Sequence, residues 1–150
     1  CMQNGMLISK LRVDHHKTVK EMARYLNIGT SPYKRYEASL KPMKIQELNA
    51  LSNYFKVSLN TLLGLSDNMH EFGSFDIDYK YLRFSLRYIR RMQRITQKEL
   101  AKDLHVSVPT VARYEKHPEL LKVDYLLKFA KRFSISVDYI CGKTLKKEVL

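Results

Sequence analysis

The side chains of this sequence that could do chemistry are mostly cations and hydrogen-bond donors. Lys and Arg number 27 against 15 Asp and Glu in 150 residues, a formal net charge of +12. An excess of this size suits a polyanionic partner, nucleic acid first, with an anionic membrane surface or a merely basic protein as the alternatives. The charge is spread along the chain: residues 1–70 hold 10 basic and 5 acidic side chains, and residues 71–150 hold 17 and 10. Both halves can therefore face phosphate. The patterns that catalysis needs are not found: there is no Gly-rich phosphate loop, no Ser/His/Asp or Cys/His constellation and no metal cluster. Neither an enzyme nor a cofactor nor a small-molecule substrate is expected. His15 and His16 are adjacent, without companion ligands at zinc spacing, and read as a solvated loop. Of the two cysteines, Cys1 stands at the start and Cys141 in an apolar row, as a small buried hydrophobe. That is no disulfide framework, and a reducing cytoplasm is the expected location. No stretch approaches the roughly 20 apolar residues that span a bilayer, and no signal peptide is read.

The elements that must position these cations come in two copies. Residues 18–37 read TVKEMARYLNIGTSPYKRYE and residues 96–115 read TQKELAKDLHVSVPTVARYE, 78 residues further on. The match extends both ways at the same offset. Ile8, Leu11 and Arg12 pair with Leu86, Ile89 and Arg90; Ile45, Leu48, Leu51 and Phe55 pair with Val123, Leu126, Phe129 and Phe133. Val57, Leu59, Leu62, Leu63 and Gly64 pair with Ile135, Val137, Ile140, Cys141 and Gly142. Two homologous domains of about 60 residues follow, near the lower limit for independent folding. The expected boundaries are 1–65 and 79–150, with 66–78 as a linker rich in Asp67, Asn68, Gly73, Ser74 and Asp76.

Within each copy the period is helical: Met22 and Leu26, or Leu100 and Leu104, stand at i, i+4. Thr18-x-x-Glu21 and Thr96-x-x-Glu99 are capping boxes that should open helices of about nine residues. Asn27 and His105 stand where those helices should stop in a left-handed conformation. A second short helix is predicted over 30–38 and over 108–116, with Pro32 and Pro109 in its first turn. Ala23 and Ala101 leave room at the crossing, and Tyr33 and Val111 point inward. The local reading is helix, tight turn, helix, with the second helix placed to enter a major groove. The overall expectation is an all-α protein of two tandem bundles of about five helices each.

At these residues the chain resembles the Cro and cI-repressor type helix-turn-helix domains, the XRE family. The resemblance covers Leu86 to Gly142 and Ile8 to Gly64, and is better in the second copy, with its Thr-Gln, mid-helix Ala, opening Ser and closing Glu. It implies that Gln97 contacts phosphate and braces the reading helix. It implies that Ser107 opens that helix and that Val108, Pro109, Thr110 and Arg113 are its exposed positions. Arg113 would meet guanine O6 and N7 or clamp phosphate; Val108 and Pro109 offer only apolar contact; Arg94 and Lys98 would meet phosphate. In the first copy Val19 replaces the glutamine and Gly29 the serine. Its reading face would be Thr30, Ser31, Pro32 and Arg35 with Lys34 beside it, and this copy could read sequence, grip phosphate or serve as scaffold. Arg12 and Glu37, like Arg90 and Glu115, lie 25 residues apart. The resemblance makes each a structural salt bridge, which keeps Arg12 and Arg90 off the contact surface.

The function expected is a sequence-specific, double-stranded DNA-binding regulator of transcription with two linked reading heads. A homodimer is compatible with it. The rival is an antitoxin or adaptor that grips a protein partner. The aromatic segment Tyr79, Tyr81, Phe84 and Tyr88 reads as ordinary core; a helix packing the two domains together, or a dimer seam, are the alternatives.

Overall fold

Each Thr-x-x-Glu box opens a helix. In the computed structural model, which describes residues 4–66 and 76–143, the Thr18 and Thr96 hydroxyls accept from the amides of Glu21 and Glu99 at 3.1 Å. Each carboxylate accepts in return from the threonine amide, at 3.3 and 3.2 Å. Two otherwise orphaned N–H groups at each helix start are thereby satisfied.

The chain divides into two compact units, Cys1–Ser74 and Phe75–Leu150. The first holds α1 (Asn4–Asp14), α2 (Val19–Tyr25), α3 (Thr30–Ala38), α4 (Ile45–Phe55) and α5 (Leu59–Leu62). The second holds α6 (Tyr79–Met92), α7 (Gln97–Leu104), α8 (Val108–Lys116), a 3-10 turn (Pro118–Leu120), α9 (Val123–Phe133) and α10 (Val137–Ile140). Among the described residues there is no β-strand. The fold is all-α, with five α-helices in each unit among the described residues.

The offset seen in sequence is kept by the backbone. Helices α3, α4 and α5 reappear 78 residues later as α8, α9 and α10 with the same bounds. The non-glycine residues at positive φ fall into pairs at that offset: His16 and Arg94, Asn27 and His105, Lys56 and Ser134. Gly64 and Gly142 make a fourth pair. Each marks the end of a helix, where a left-handed residue turns the chain so that the last carbonyls find donors. At Gly142 a Cβ would also come within 3.0 Å of the Tyr81 ring on α6, so glycine serves close approach as well as conformation.

In the first unit α1 packs on α3 and α5, and α2 on α3. Ile8, Leu11, Met22, Ala23, Tyr33, Leu48 and Leu51 are buried there. In the second unit α6 packs on α8 and α10, and α7 on α8 and α9, burying Leu82, Leu86, Leu100, Ala101, Val111, Leu126 and Phe129. Ala23 and Ala101, expected to leave room between the helices, are both buried. Cys141 is fully buried, and that burial pushes its thiol well above the ordinary range. Of the residues expected to link the units, 67–75 lie outside the described residues; Ile77 is buried and Asp78 caps α6, accepting from the Tyr81 amide at 3.0 Å.

The aromatic segment corrects the sequence reading. Tyr79 and Tyr81 are half-buried, but Phe84 and Tyr88 are 62% and 50% exposed and stack on each other, ring centroids 5.2 Å apart. They are not core. Leu82, Leu86 and Ile89 already take the inward face of α6 at i, i+4, i+7, which leaves positions 84 and 88 on the opposite side.

Candidate nucleic-acid interface

Helix α8 is the element on which the candidate residues gather. Ser107 caps it: its hydroxyl accepts from the Thr110 amide at 3.2 Å and lies 2.7 Å from the Thr110 hydroxyl. Pro109 falls in the first turn, where a missing N–H costs nothing. Val111, Tyr114 and Glu115 face inward and are buried. Across the helix, Ser107, Val108, Pro109 and Arg113 are exposed and Thr110 is half-buried. The Arg113 guanidinium rests 5.2 Å from the centroid of the Tyr114 ring.

The inward side of α8 is held by one carboxylate. Glu115, 1% exposed, accepts from Arg90 Nε at 2.6 Å and Arg90 Nη2 at 2.9 Å, a bidentate pair. A third donor, Gln97 Nε2, reaches Glu115 Oε1 at 3.1 Å. Arg90 Nη1 donates to the Ile95 carbonyl at 2.9 Å, which ties the loop before α7 to the same group. Helices α6, α7 and α8 thus meet at one buried ion pair. The hydrogen bonds it donates to Glu115 hold the Arg90 guanidinium above its already high pKa. Arg87, on α6, lies 3.8 Å from the same carboxylate and was not foreseen; its position three residues before Arg90 was the available signal.

Around this frame Arg94 is exposed, in the left-handed conformation, at the turn between α6 and α7. Lys98 is exposed in the first turn of α7, and Gln97 is half-buried because its amide is turned toward Glu115. The structure therefore brings Arg94, Lys98 and the outer face of α8 to the surface.

The first unit builds the same frame with different parts. Arg12 Nε and Nη2 donate to Glu37 at 2.7 and 3.2 Å, and Arg12 Nη1 donates to the Lys17 carbonyl at 3.0 Å. This pair is more accessible, the two side chains being 15% and 14% exposed. With Val19 in place of the glutamine there is no amide brace. Instead Tyr33, fully buried where the second unit has Val111, sits beside the Arg12–Glu37 pair. Burial, and then Glu37, push its ionisation far above the ordinary phenol range. Tyr36 donates to Glu47 at 2.9 Å, whereas the second unit packs Tyr114 edge-on against Tyr125 at the matched positions. Gly29 begins α3 with no side-chain cap. Thr30, Ser31, Lys34 and Arg35 are exposed, and Pro32 is half-buried.

No helix among the described residues is long and apolar enough to cross a membrane, and no group of three His, Cys, Asp or Glu there could hold a metal ion.

Helix, capped turn and an outward second helix held by a buried ion pair define a class. Residues 86–140 match the helix-turn-helix family HTH_3, so the second unit carries a helix-turn-helix domain, a module of DNA-binding proteins. Over 61 residues the chain is 33% identical to YobD, an uncharacterized HTH-type transcriptional regulator of Bacillus subtilis (strain 168). That match takes in 41% of this chain and 54% of the relative, so the chain spans about half of the relative's length. No solved structure matches the chain.

Proposed function

We propose that the protein is a sequence-specific regulator of transcription that binds double-stranded DNA through two covalently linked units. The observation that carries this reading is the contrast between the two sides of α8. Its inner side is locked by Glu115, Arg90 and Gln97, while its outer side presents Val108, Pro109 and Arg113 to solvent. Base readout needs side chains held in fixed register in the groove, and a buried bidentate pair supplies that register.

In this reading Arg113 reaches guanine O6 and N7, and Val108 and Pro109 meet a thymine methyl. Ser107 and Thr110 fix the helix N-terminus, whose free N–H groups face phosphate together with Arg94, Lys98 and the second amide hydrogen of Gln97. Thr30, Ser31, Pro32, Lys34 and Arg35 form the corresponding surface of the first unit. It lacks the serine cap and the glutamine brace, so we assign it phosphate grip more than base readout. Covalent linkage makes the second unit's binding intramolecular, with an effective concentration of the order of millimolar when the linker spans the sites. Because the two surfaces differ, the operator need not be a palindrome. A cytoplasmic location goes with this function.

Selection from a random duplex pool with the full chain tests the reading. A recovered consensus that weakens at one base pair with Arg113→Ala supports it; recovery of no consensus overturns it. A second reading, an antitoxin or adaptor holding a protein partner, draws on the exposed aromatic pair of α6.

A further inference from the structure

Helix α6 carries two parallel stripes on its solvent side. Phe84, Tyr88 and Met92 recur every four residues and are 62%, 50% and 62% exposed. Arg83, Arg87 and Arg91 recur at the same interval one position earlier, and all three are exposed. Residues four apart lie one above the other on a helix, so an apolar stripe runs beside a cationic one for about 12 Å, the rise of eight residues at 1.5 Å each. The helix contains no acid. Arg87 lies 3.8 Å from the Glu115 carboxylate, and Arg83 lines a shallow cleft with Glu119.

The fold does not ask for this face. In α1, the matched helix of the first unit, the six positions are Met6, Lys10 and Asp14, and Gly5, Ser9 and Val13. Neither stripe is there, and the ion pair and packing of that unit form without them. In α6 the arginines at i, i+4 repel, and three large apolar side chains stay half or more exposed even with Phe84 stacked on Tyr88. Such a surface gains when a partner covers it.

The charge selects the partner. A second copy of α6 would set arginine against arginine. A duplex would pair with the arginines and leave the apolar stripe unburied. An amphipathic helix with an acidic stripe beside an apolar one matches both features at once, and about three turns of it cover the face. We propose that the outer face of α6 is a docking surface for an acidic amphipathic helix of a second protein. Its residues are not those assigned to DNA reading on α8, although Arg87 lies 3.8 Å from the Glu115 carboxylate.

The test uses the full chain and two synthetic 14-residue peptides of identical composition. One carries Leu at i, i+4 and i+8 beside a stripe of Glu; the other is scrambled. The patterned peptide is expected to bind saturably, with amide shifts of the wild-type chain confined to α6. Phe84→Ser with Tyr88→Ser, and separately Arg83→Glu with Arg91→Glu, should each weaken it at least tenfold. The charge-reversed variant should gain binding to a Lys-striped peptide. All four sites are exposed, so the variants should melt as the parent does; should one not, the shift map of the wild-type chain decides. Equal binding of the scrambled peptide, or shifts centred away from α6, would overturn the proposal. So would a dimer that Phe84→Ser with Tyr88→Ser abolishes, or binding to phosphatidylglycerol vesicles with none to the peptide. Operator binding in the same samples reports separately on the DNA reading.

Discussion

At the scale of single residues, the two ion pairs allow a comparison within one chain. Glu115 is buried and accepts three hydrogen bonds at 2.6, 2.9 and 3.1 Å. Removing it leaves the buried Arg90 guanidinium without a counter-charge, holding only its bond to the Ile95 carbonyl, and takes the acceptor from the Gln97 amide. Glu115→Ala should cost about 3–5 kcal/mol of second-unit stability in denaturant unfolding. Glu37 lies nearer the solvent and holds two bonds from Arg12. Water can replace part of what is lost, so Glu37→Ala should cost the first unit about 1–3 kcal/mol. Arg90→Ala with Glu115→Ala should cost less than the sum of the single changes. Strict additivity would mean that the two side chains do not meet in solution. The reading residues divide in the same way. Arg113 stands on the braced helix and Arg35 on the one without a glutamine brace. Arg113→Ala should cost about 1–3 kcal/mol of binding and relax preference at one base pair. Arg35→Ala should weaken all duplexes alike and lower the salt slope by about one. Titration against matched and single-mismatch duplexes separates them; the reverse pattern would exchange the roles of the two units.

At the scale of elements, helix ends carry much of the design. Caps at Thr18, Thr96, Ser58, Ser107 and Ser136 start helices, and left-handed residues at Asn27, Lys56, His105 and Ser134 stop them. A non-glycine residue in that conformation is disfavoured by its Cβ. Ser134, which ends α9 and is not among the proposed reading residues, lets this be measured. Ser134→Gly should stabilise the second unit by about 0.5–1 kcal/mol, the relief of the Cβ clash exceeding the added freedom of the unfolded chain. Ser134→Val should destabilise it. A thermal melt that ranks glycine below serine would show that the serine hydroxyl, not the backbone, decides that position.

At the scale of the whole molecule, the positive charge falls on both units and neither has acids enough to balance it. If the two units together neutralise about six to ten phosphates, affinity should drop by about 10³–10⁵ between 50 and 200 mM salt. A filter-binding series on one operator checks this. A nearly flat response would remove duplex DNA as the partner and leave the protein-docking face of α6 as the main functional surface.

Much of the architecture could be read from the chain because the interactions that set it are local. A capping box closes over three residues, a left-handed stop needs one tolerant side chain, and α3 and α8 begin and end where the Thr, Pro and Glu positions imply. Register came from the repeat itself, since an apolar pattern kept for so long without a gap leaves one alignment. The tertiary structure decided what depends on distant neighbours. It turns Gln97 inward to Glu115, buries the Arg90 pair more deeply than the Arg12 pair, and sets Tyr33 beside that second pair. It also leaves Phe84 and Tyr88 in solvent, although aromatic residues in a basic helix read more readily as core. Exposure is a sum over everything packed around a side chain, and those neighbours come from helices up to tens of residues away, so no window of sequence contains it.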